Sequence, residues 1–354
     1  MKKIIQKKYL LKLPSLLLLS LPLILLTTIA KSDSTTTLKM ATWLPDKHVM
    51  NSVVLKEWGK WVNKATSGRV EISFERPKTH PKNMLELVKS GQYDIGWMYH
   101  GFWPHQFKLT QLSELPLNGV GPEAASVAHW RIHNKYFSKI NEHQGMQLLA
   151  LFTHGEAQLH LKKPIQTLSE LQGMRVRLSG PSGTQASIAN RLGLEGVIAS
   201  PLKIYDLLKN NKIEGVFMPM VEKEALKLKE VAPYTYKFRG GLYLGSFGVF
   251  INPKALDGIS PEDKIAILNV SGEKLSRFAG KAWHDEDIKG EKNALEYGNT
   301  IIEATPTMRD DFERLMLDMD NIWVNKTKPL GLDPDKILDL YRQLSRCGSI
   351  TSRI

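Results

Sequence analysis

The order of strands and helices in the first hundred residues is the feature that most restricts the fold of this chain. A strand over residues 37–43 is followed by a helix whose apolar residues, spaced three and four apart, form one stripe. Strand 69–74, a second helix that ends at Gly91, and strand 94–99 come next. This strand–helix–strand–helix–strand order predicts parallel pairing with right-handed crossovers, and therefore an α/β fold.

The same order returns downstream and predicts a second α/β unit. A nearly all-apolar strand at 146–152 is typical of a strand covered on both faces, and short strands then alternate with helices up to residue 251. A last helical pattern begins with Ser260 as N-cap and Pro261 in the first turn, and it continues to about residue 297. A helix of this length can cross from one α/β unit to the other.

The first thirty residues predict a cleavable secretory signal. Five lysines precede a short apolar run, and the small residues Thr28 and Ala30 follow it. An uncleaved membrane anchor is the alternative. Removing thirty of the 354 residues leaves 324, which suggests about two domains, and the loss of five lysines lowers the formal net charge from +12 to +7.

Several function classes find no support in the sequence. It contains no dense Lys/Arg run with interleaved aromatic residues, so we expect no nucleic-acid binding. Cys347 is the only cysteine, so no internal disulfide can form. There is no Gly-x-Ser-x-Gly motif and no phosphate-binding loop. We therefore expect a protein that is not an enzyme.

The paired histidines do not have the spacing of a metal site. His129 and His133 are four residues apart with no glutamate between them, and His100 and His105 flank a Gly-Phe-Trp-Pro sequence. We interpret both pairs as solvated or core-edge histidines. The sequence thus predicts neither a metal ion nor a cofactor.

Residues 171–183 contain the strongest candidate for ligand binding. Arg175 and Arg177 are two apart on a predicted strand and therefore share a face. The strand ends in Ser-Gly-Pro-Ser-Gly before a helix that starts at Thr184, and such a junction offers backbone N–H groups to an anion. An arginine in a cleft can hold a carboxylate through two parallel hydrogen bonds. Alternatively, one or both arginines are solvated charges at the sheet edge.

Aromatic side chains crowd the ends of other predicted strands. Trp43 and Tyr99 lie at carboxyl ends, beyond which open α/β sheets bind their ligands. Tyr243 and Phe247 lie near a further strand. These residues are candidates for a binding pocket, and the alternative is that they belong to the core.

The order and spacing of several sequence pieces resemble one known family. From about residue 38 to 345, the chain resembles the solute-binding proteins of tripartite ATP-independent periplasmic (TRAP) transporters. The pieces that carry the resemblance are Lys39-Met-Ala-Thr-Trp-Leu-Pro, Thr66-Ser-Gly-Arg-Val-Glu-Ile, Tyr99-His-Gly-Phe-Trp-Pro, Leu168-Ser-Glu-Leu-Gln-Gly-Met-Arg-Val-Arg177 and Ile204-Tyr-Asp-Leu-Leu-Lys.

The resemblance implies a two-lobed periplasmic-binding-protein fold, with a hinge and a long helix spanning both lobes. Residues 38–154 plus 243–282 are expected in lobe I, and residues 155–242 plus 283–345 in lobe II. The implied protein is periplasmic and monomeric, captures a small organic acid and delivers it to the subunits of a TRAP-type membrane permease. A secreted sensory ligand-binding protein and an enzyme on the same scaffold are the alternatives.

The resemblance also implies the binding residues. Arg177 matches the family's carboxylate-binding arginine, whereas Arg175 matches a position without that role. Members that bind dicarboxylates or acidic sugars often carry a second arginine where this chain has Ala157, and a polar residue is common where it has Met218. We therefore expect a monocarboxylate with an apolar or aromatic body. The predicted ligand-binding residues are Arg177, Trp43, Tyr99, His100, Met218 and Phe247.

Overall fold

Two β-sheets organise residues 35–118 and 121–351, the part of the chain that the computed structural model describes. The predicted secretory signal, residues 1–30, lies outside these residues. No helix within the described ranges is long and apolar enough to cross a membrane. The mixed α/β architecture with two units, predicted from the order of elements, is confirmed.

The strands of the described residues are, in chain order, β1 (Thr36–Ala41), β2 (Val70–Glu75), β3 (Ile95–Tyr99), β4 (Gln147–Thr153), β5 (Gln158–Leu161), β6 (Arg175–Leu178), β7 (Glu195–Ile198), β8 (Gly215–Met218), β9 (Tyr234–Lys237), β10 (Ser246–Ile251) and β11 (Thr300–Glu303). The helices are α1 (Leu55–Ala65), α2 (Met84–Lys89), α3 (Pro122–Ile132), α4 (Thr184–Arg191), α5 (Ile204–Lys209), α6 (Glu222–Ala225), α7 (Pro253–Asp257), α8 (Pro261–Asn269), α9 (Gly272–Glu296), α10 (Pro306–Met316), α11 (Met319–Thr327) and α12 (Pro334–Thr351).

The first sheet has the strand order β2-β1-β3-β10-β4. As the local order of elements predicts, β1 pairs in parallel with both β2 and β3. By contrast, β10 runs antiparallel to β3 and to β4. This strand joins the sheet only after the chain has passed through the second sheet, so local sequence cannot reveal its direction.

The second sheet has the order β11-β9-β5-β8-β6-β7. β6 pairs in parallel with β7 and β8, and β9 with β11, whereas β5 runs antiparallel to both of its neighbours. β5 is the first strand after the chain leaves the first sheet. The strands that follow the first two crossings, β5 and β10, thus depart from parallel pairing, whereas β11, which follows α9, pairs in parallel with β9.

The chain passes between the two sheets at residues 154–157, at residues 238–245 and along α9. The predicted boundaries between lobe I and lobe II fall in these same segments, and this division into lobes stays a prediction. The two sheets have separate hydrophobic cores, one containing Trp58 and Phe250 and the other containing Phe217 and Phe312.

The predicted long helix is present as two consecutive helices, α8 and α9. Ser260 caps α8, because its hydroxyl accepts the backbone N–H of Asp263 at 3.1 Å. The helices are divided at residues 270–271, before Gly272, whose φ of +62° lies in the left-handed region that glycine tolerates. The two other glycines of the pattern, Gly280 and Gly290, lie inside α9 without interrupting it.

Gly280 and Gly290 let α9 approach its neighbours closely. A Cβ atom on Gly280 would lie 2.4 Å from the carbonyl oxygen of Pro122 in α3, and one on Gly290 would lie 2.3 Å from the carbonyl oxygen of Met220. Both obstacles are backbone atoms, which cannot rotate away as the end of a side chain can. The position of α9 between the sheets thus depends on the absence of a Cβ atom at these two positions.

We predict that Gly280→Ala destabilises the protein by about 1–3 kcal/mol, because overpacking a tight contact has this cost. Gly59→Ala in α1 is the matched control, since its Cβ would make an ordinary contact at 3.5 Å with Phe74. That control should gain up to about 1 kcal/mol from helix propensity. Urea unfolding of both variants checks the prediction, and equal stabilities would contradict it.

Candidate functional site

A cleft of about 450 Å³, counted as the empty space between its lining atoms, lies between the two sheets. That figure includes space open to solvent, so the enclosed part of the cleft is narrower than the number suggests. The lining comes from strand ends of both sheets, from the crossing segments and from α9. Its residues are Trp43, Leu44, Tyr99, Phe102, His154, Arg177, Ser179, Pro201, Met218, Pro219, Glu222, Leu226, Tyr243, Phe247 and Trp283.

Arg177 is buried in this cleft with much of its hydrogen-bonding capacity unused. Only 2% of the residue is exposed. Its Nε donates a hydrogen bond to the carbonyl oxygen of Ala199 at 2.8 Å, whereas Nη2 has no partner among the described residues. Burial lowers the pKa of Arg177 to about 10, so the guanidinium stays charged at neutral pH. A buried charge of this kind requires an anionic partner with acceptor atoms.

Arg175, on the same strand, has a different environment. It pairs with Glu214, whose Oε2 accepts its Nε at 3.1 Å, and both side chains are more than one third exposed. Arg175 is at the start of β6 and Arg177 is two residues closer to the cleft, so sharing a face does not place them in one site. The alternative interpretation of the sequence, a solvated charge at the sheet edge, therefore describes Arg175 and not Arg177.

The loop after β6 contributes less than the sequence suggests. Ser179 lines the cleft, but neither Gly183 nor Thr184 at the start of α4 does. Gly183 has φ +91° and faces Pro104. The N-terminus of α4 is therefore not part of the cleft lining.

Aromatic rings form much of the wall. Trp43 stacks on Trp97 with ring centroids 4.6 Å apart. Tyr99 contacts Phe247 at 5.2 Å, and Phe247 stacks on Trp283 at 6.2 Å. Such faces favour flat apolar groups through offset and edge contacts. The cleft thus combines one buried cation with an aromatic surface.

A second layer of polar groups fixes the tyrosines of the wall. Glu114 is buried behind Tyr99 and accepts both the Tyr99 hydroxyl and the backbone N–H of Ser246, the latter at 3.1 Å. Burial raises the pKa of Glu114 to about 7. The amide of Gln185 donates to the Tyr243 hydroxyl at 2.9 Å. These bonds hold both phenol rings in fixed orientations.

The structure places five of the six predicted site residues on the cleft: Arg177, Trp43, Tyr99, Met218 and Phe247. Their contact with a ligand stays a prediction. Met218 comes from the end of β8, and its carbonyl oxygen bonds to Nε2 of His160 at 2.8 Å, which leaves its thioether as the group presented to the cleft side.

The sixth predicted residue, His100, is not among the residues that line this cleft, and its contact with a ligand also stays a prediction. It follows the end of β3 and is buried. Its Nδ1 bonds to the Ser246 hydroxyl at 2.8 Å and its Nε2 lies 3.0 Å from Nε2 of His143.

One histidine of each pair, His100 and His129, is buried, whereas His105 is exposed and His133 is half-buried, as expected. His129 is buried and bonds through Nε2 to the same Ser246 hydroxyl at 2.8 Å. Burial lowers the pKa values of His129 and His143 to about 3, so this cluster is neutral at pH 7. Within the described part of the chain, no group of three or more His, Cys, Asp or Glu residues could hold a metal ion.

Sequence reasoning missed three lining residues with polar atoms: His154, Glu222 and Trp283. Trp283 lies within the helical pattern that follows Ser260, and Glu222 lies in a segment that also contains Lys223, Glu224 and Lys227. No local pattern distinguishes them from surface or core residues. Burial lowers the pKa of His154 to about 4, so its ring is neutral at pH 7 and Arg177 is the only permanent cation in the described lining.

The chain is similar in sequence to one protein family and to individual known proteins. The model of the family described as bacterial extracellular solute-binding protein, family 7, matches residues 40–323. The outer membrane transporter protein TsaT of Comamonas testosteroni is 26% identical over 317 residues, which are 89% of this chain and 93% of that protein.

Two solved structures have the same fold. A TRAP periplasmic solute-binding protein from Bordetella bronchiseptica with bound (R)- and (S)-mandelate is 28% identical, with a TM-score of 0.84 over 88% of this chain and 99% of that chain. A TRAP solute-binding protein from Rhodoferax ferrireducens in complex with copurified benzoate is 26% identical, with a TM-score of 0.83 over 90% of this chain and 100% of that chain.

We predict that Glu114→Gln changes the dependence of stability on pH. The folded-state pKa of Glu114 is raised to about 7 from 4.5, so its carboxyl group stabilises the fold at low pH, and this contribution is lost as pH rises from about 4.5 to 7. Glutamine does not titrate. The free energy of unfolding of the variant, relative to wild type, should therefore rise by about 3 kcal/mol between pH 4.5 and 8.

Urea unfolding at pH 4.5, 6, 7 and 8 measures this difference. If the curves of variant and wild type stay parallel over the whole range, Glu114 does not have a raised pKa in the folded protein.

Proposed function

This chain belongs to family 7 of the bacterial extracellular solute-binding proteins, and on that premise we propose that it captures an aromatic monocarboxylate for a TRAP-type membrane permease. The protein is exported to the periplasm by the signal at residues 1–30 and acts there as a monomer. It binds its ligand without chemical turnover and passes it to the permease subunits.

One observation carries the proposal: the buried guanidinium of Arg177 with an unpartnered Nη2 in the cleft. A carboxylate is the planar anion that can accept from this fork and neutralise it. The cost of keeping a desolvated charge without a partner is large, so a matching anion gains much of its binding energy here.

The aromatic wall supports the choice of ligand body. Trp43, Tyr99 and Phe247 line one narrow cleft, and an aromatic lining suits a planar apolar group better than a hydrated one. The Bordetella and Rhodoferax proteins, which share the fold, hold mandelate and benzoate. Both are aromatic monocarboxylates, in agreement with the lining found here.

A single carboxylate fits the charges better than two. Arg177 is the only arginine or lysine of the described lining, and the position where a second arginine is common in the family holds Ala157, a fully buried residue. A second carboxylate would lie against aromatic rings or against the side chain of Glu222. Both arrangements cost desolvation energy without a compensating cation.

Closure of the two lobes is the proposed mechanism. Trp43 and Phe247 come from the first sheet, and Arg177 and Met218 from the second. A ligand that touches both sets stabilises the closed form over an open one, since only the closed form makes all of the contacts. The permease would recognise the closed form.

We predict that Arg177→Met weakens binding of phenylacetate or benzoate about thirtyfold or more, because truncating one partner of a buried charge pair costs ~2–5 kcal/mol. Arg175→Met is the matched control on the same strand and should bind as wild type does, since Arg175 pairs with Glu214 outside the cleft. Isothermal titration calorimetry of the exported protein measures both. Equal affinities of the two variants would refute the role of Arg177.

A ligand panel tests the charge and the body of the ligand separately. At equal concentration, phenylacetate and benzoate should raise the melting temperature of the wild-type protein, whereas succinate and malate should not. The stabilisation follows RT ln(1 + [L]/Kd), so a ligand that does not bind gives no shift. A larger shift with succinate than with every aromatic monocarboxylate would overturn the proposal.

A further inference from the structure

The cleft concentrates polar atoms that the protein itself leaves without hydrogen bonds. Six buried side-chain atoms of the described residues have no partner, and three of them belong to cleft-lining residues: Nη2 of Arg177, Oε2 of Glu222 and Nε1 of Trp283. Buried polar atoms in native proteins are almost always hydrogen-bonded. Three exceptions in one cleft therefore indicate groups that a ligand satisfies.

The proposed function uses only the first of these atoms. Glu222 and Trp283 lie beside each other, because both contact His48. Nε2 of His48 is 3.2 Å from Oε1 of Glu222, and its ring meets the Trp283 ring edge-on with centroids 5.0 Å apart. His48 thus satisfies one oxygen of the carboxylate and leaves Oε2 without a partner, in the same cleft as the unpartnered indole N–H.

The backbone around Glu222 is held against the face of α9 that carries Trp283. Trp283, Asp287 and Gly290 are four and three residues apart and therefore share one helix face. Oδ1 of Asp287 accepts the backbone N–H of Val221 at 2.8 Å, and Gly290 lets Met220 approach. Oε2 and the indole N–H are therefore fixed relative to each other before any ligand binds.

The two free atoms have opposite hydrogen-bonding roles. Oε2 of Glu222 only accepts and Nε1 of Trp283 only donates. A hydroxyl group matches both, since its proton can be donated to Oε2 while its oxygen accepts the indole N–H. An ammonium group could donate to Oε2 of Glu222 but could not accept the indole N–H. A second ligand carboxylate would be repelled by the Glu222 carboxylate.

We propose that the ligand carries a hydroxyl group in addition to its carboxylate, and that this hydroxyl binds between Glu222 Oε2 and Trp283 Nε1 while Arg177 holds the carboxylate. The proposal rests on the function proposed above and narrows it to hydroxylated aromatic monocarboxylates. Glu222 and Trp283 are then the residues that determine specificity within that class.

A matched ligand series tests the inference by calorimetry on the exported protein. Phenylacetate, mandelate and phenylglycine carry hydrogen, hydroxyl and ammonium at the same carbon atom, and 3-hydroxyphenylacetate carries the hydroxyl on the ring. We expect wild type to bind at least one of the two hydroxylated acids ten or more times tighter than phenylacetate. Phenylglycine should bind more weakly than that acid.

Variants then assign the preference to the two side chains. Glu222→Leu and Trp283→Phe should each reduce the preference for the hydroxylated acid over phenylacetate, taken as the ratio of the two affinities in the same variant, to threefold or less. Glu222→Gln should retain part of the preference, because a neutral amide oxygen is a weaker acceptor than a carboxylate. Glu224→Gln, an exposed position on the same helix paired with Lys229, is the control and should behave as wild type.

The outcomes separate this inference from the proposed function. If phenylacetate binds as tightly as both hydroxylated acids, or if the variants weaken all ligands equally, the hydroxyl site is refuted while the role of Arg177 stands. If phenylglycine binds most tightly, the site recognises an ammonium group and not a hydroxyl, and the inference is also refuted. If wild type binds none of the four acids, the proposed function fails, and this inference fails with it.

Discussion

The burial of one guanidinium against a single carbonyl oxygen is the interaction on which this cleft depends. Arg177 is almost fully enclosed, yet the protein supplies only the Ala199 oxygen for Nε. A folded chain could have placed an aspartate or glutamate beside it, as it does for the exposed Arg175. Arg175 thus forms an ion pair that is complete within the protein, whereas Arg177 keeps an unpartnered Nη2, and this difference is why we propose a binding role for Arg177 alone.

The rest of the cleft keeps that charge usable. Neutral histidines and tyrosines surround it, and the acid nearest to Tyr99, Glu114, has its pKa raised to about 7 by burial. This layer orients the walls through hydrogen bonds, and below pH 7 the Glu114 carboxyl is mostly protonated and adds little negative charge near the guanidinium. The helix α9 completes the arrangement, because its glycines let it contact α3 at one point and the Met220 backbone at another.

Much of the fold was predictable because it follows from local periodicity. The parallel strands β1, β2 and β3, the cap at Ser260 and the helical stretch after it follow from spacing and capping rules that act over a few residues. The antiparallel entry of β5 and β10 was not predictable in this way. Their direction is set by where the chain returns after crossing between sheets, a contact between residues distant in sequence.

For the site, the sequence by itself determined the proposed anchor and the aromatic character of the cleft walls. An arginine lies near the end of one strand and aromatic residues lie at the ends of others, and these are places that an open α/β sheet exposes to ligands. Only the tertiary structure decided which of two arginines on one strand is buried, that His100 faces the core, and that His48, Glu222 and Trp283 meet. Residues 48, 222 and 283 are far apart in the chain, and no local pattern records their contact. Hydrogen-bond completion is a property of three-dimensional neighbours, and so the atoms left for a ligand appear only once the fold has brought those neighbours together.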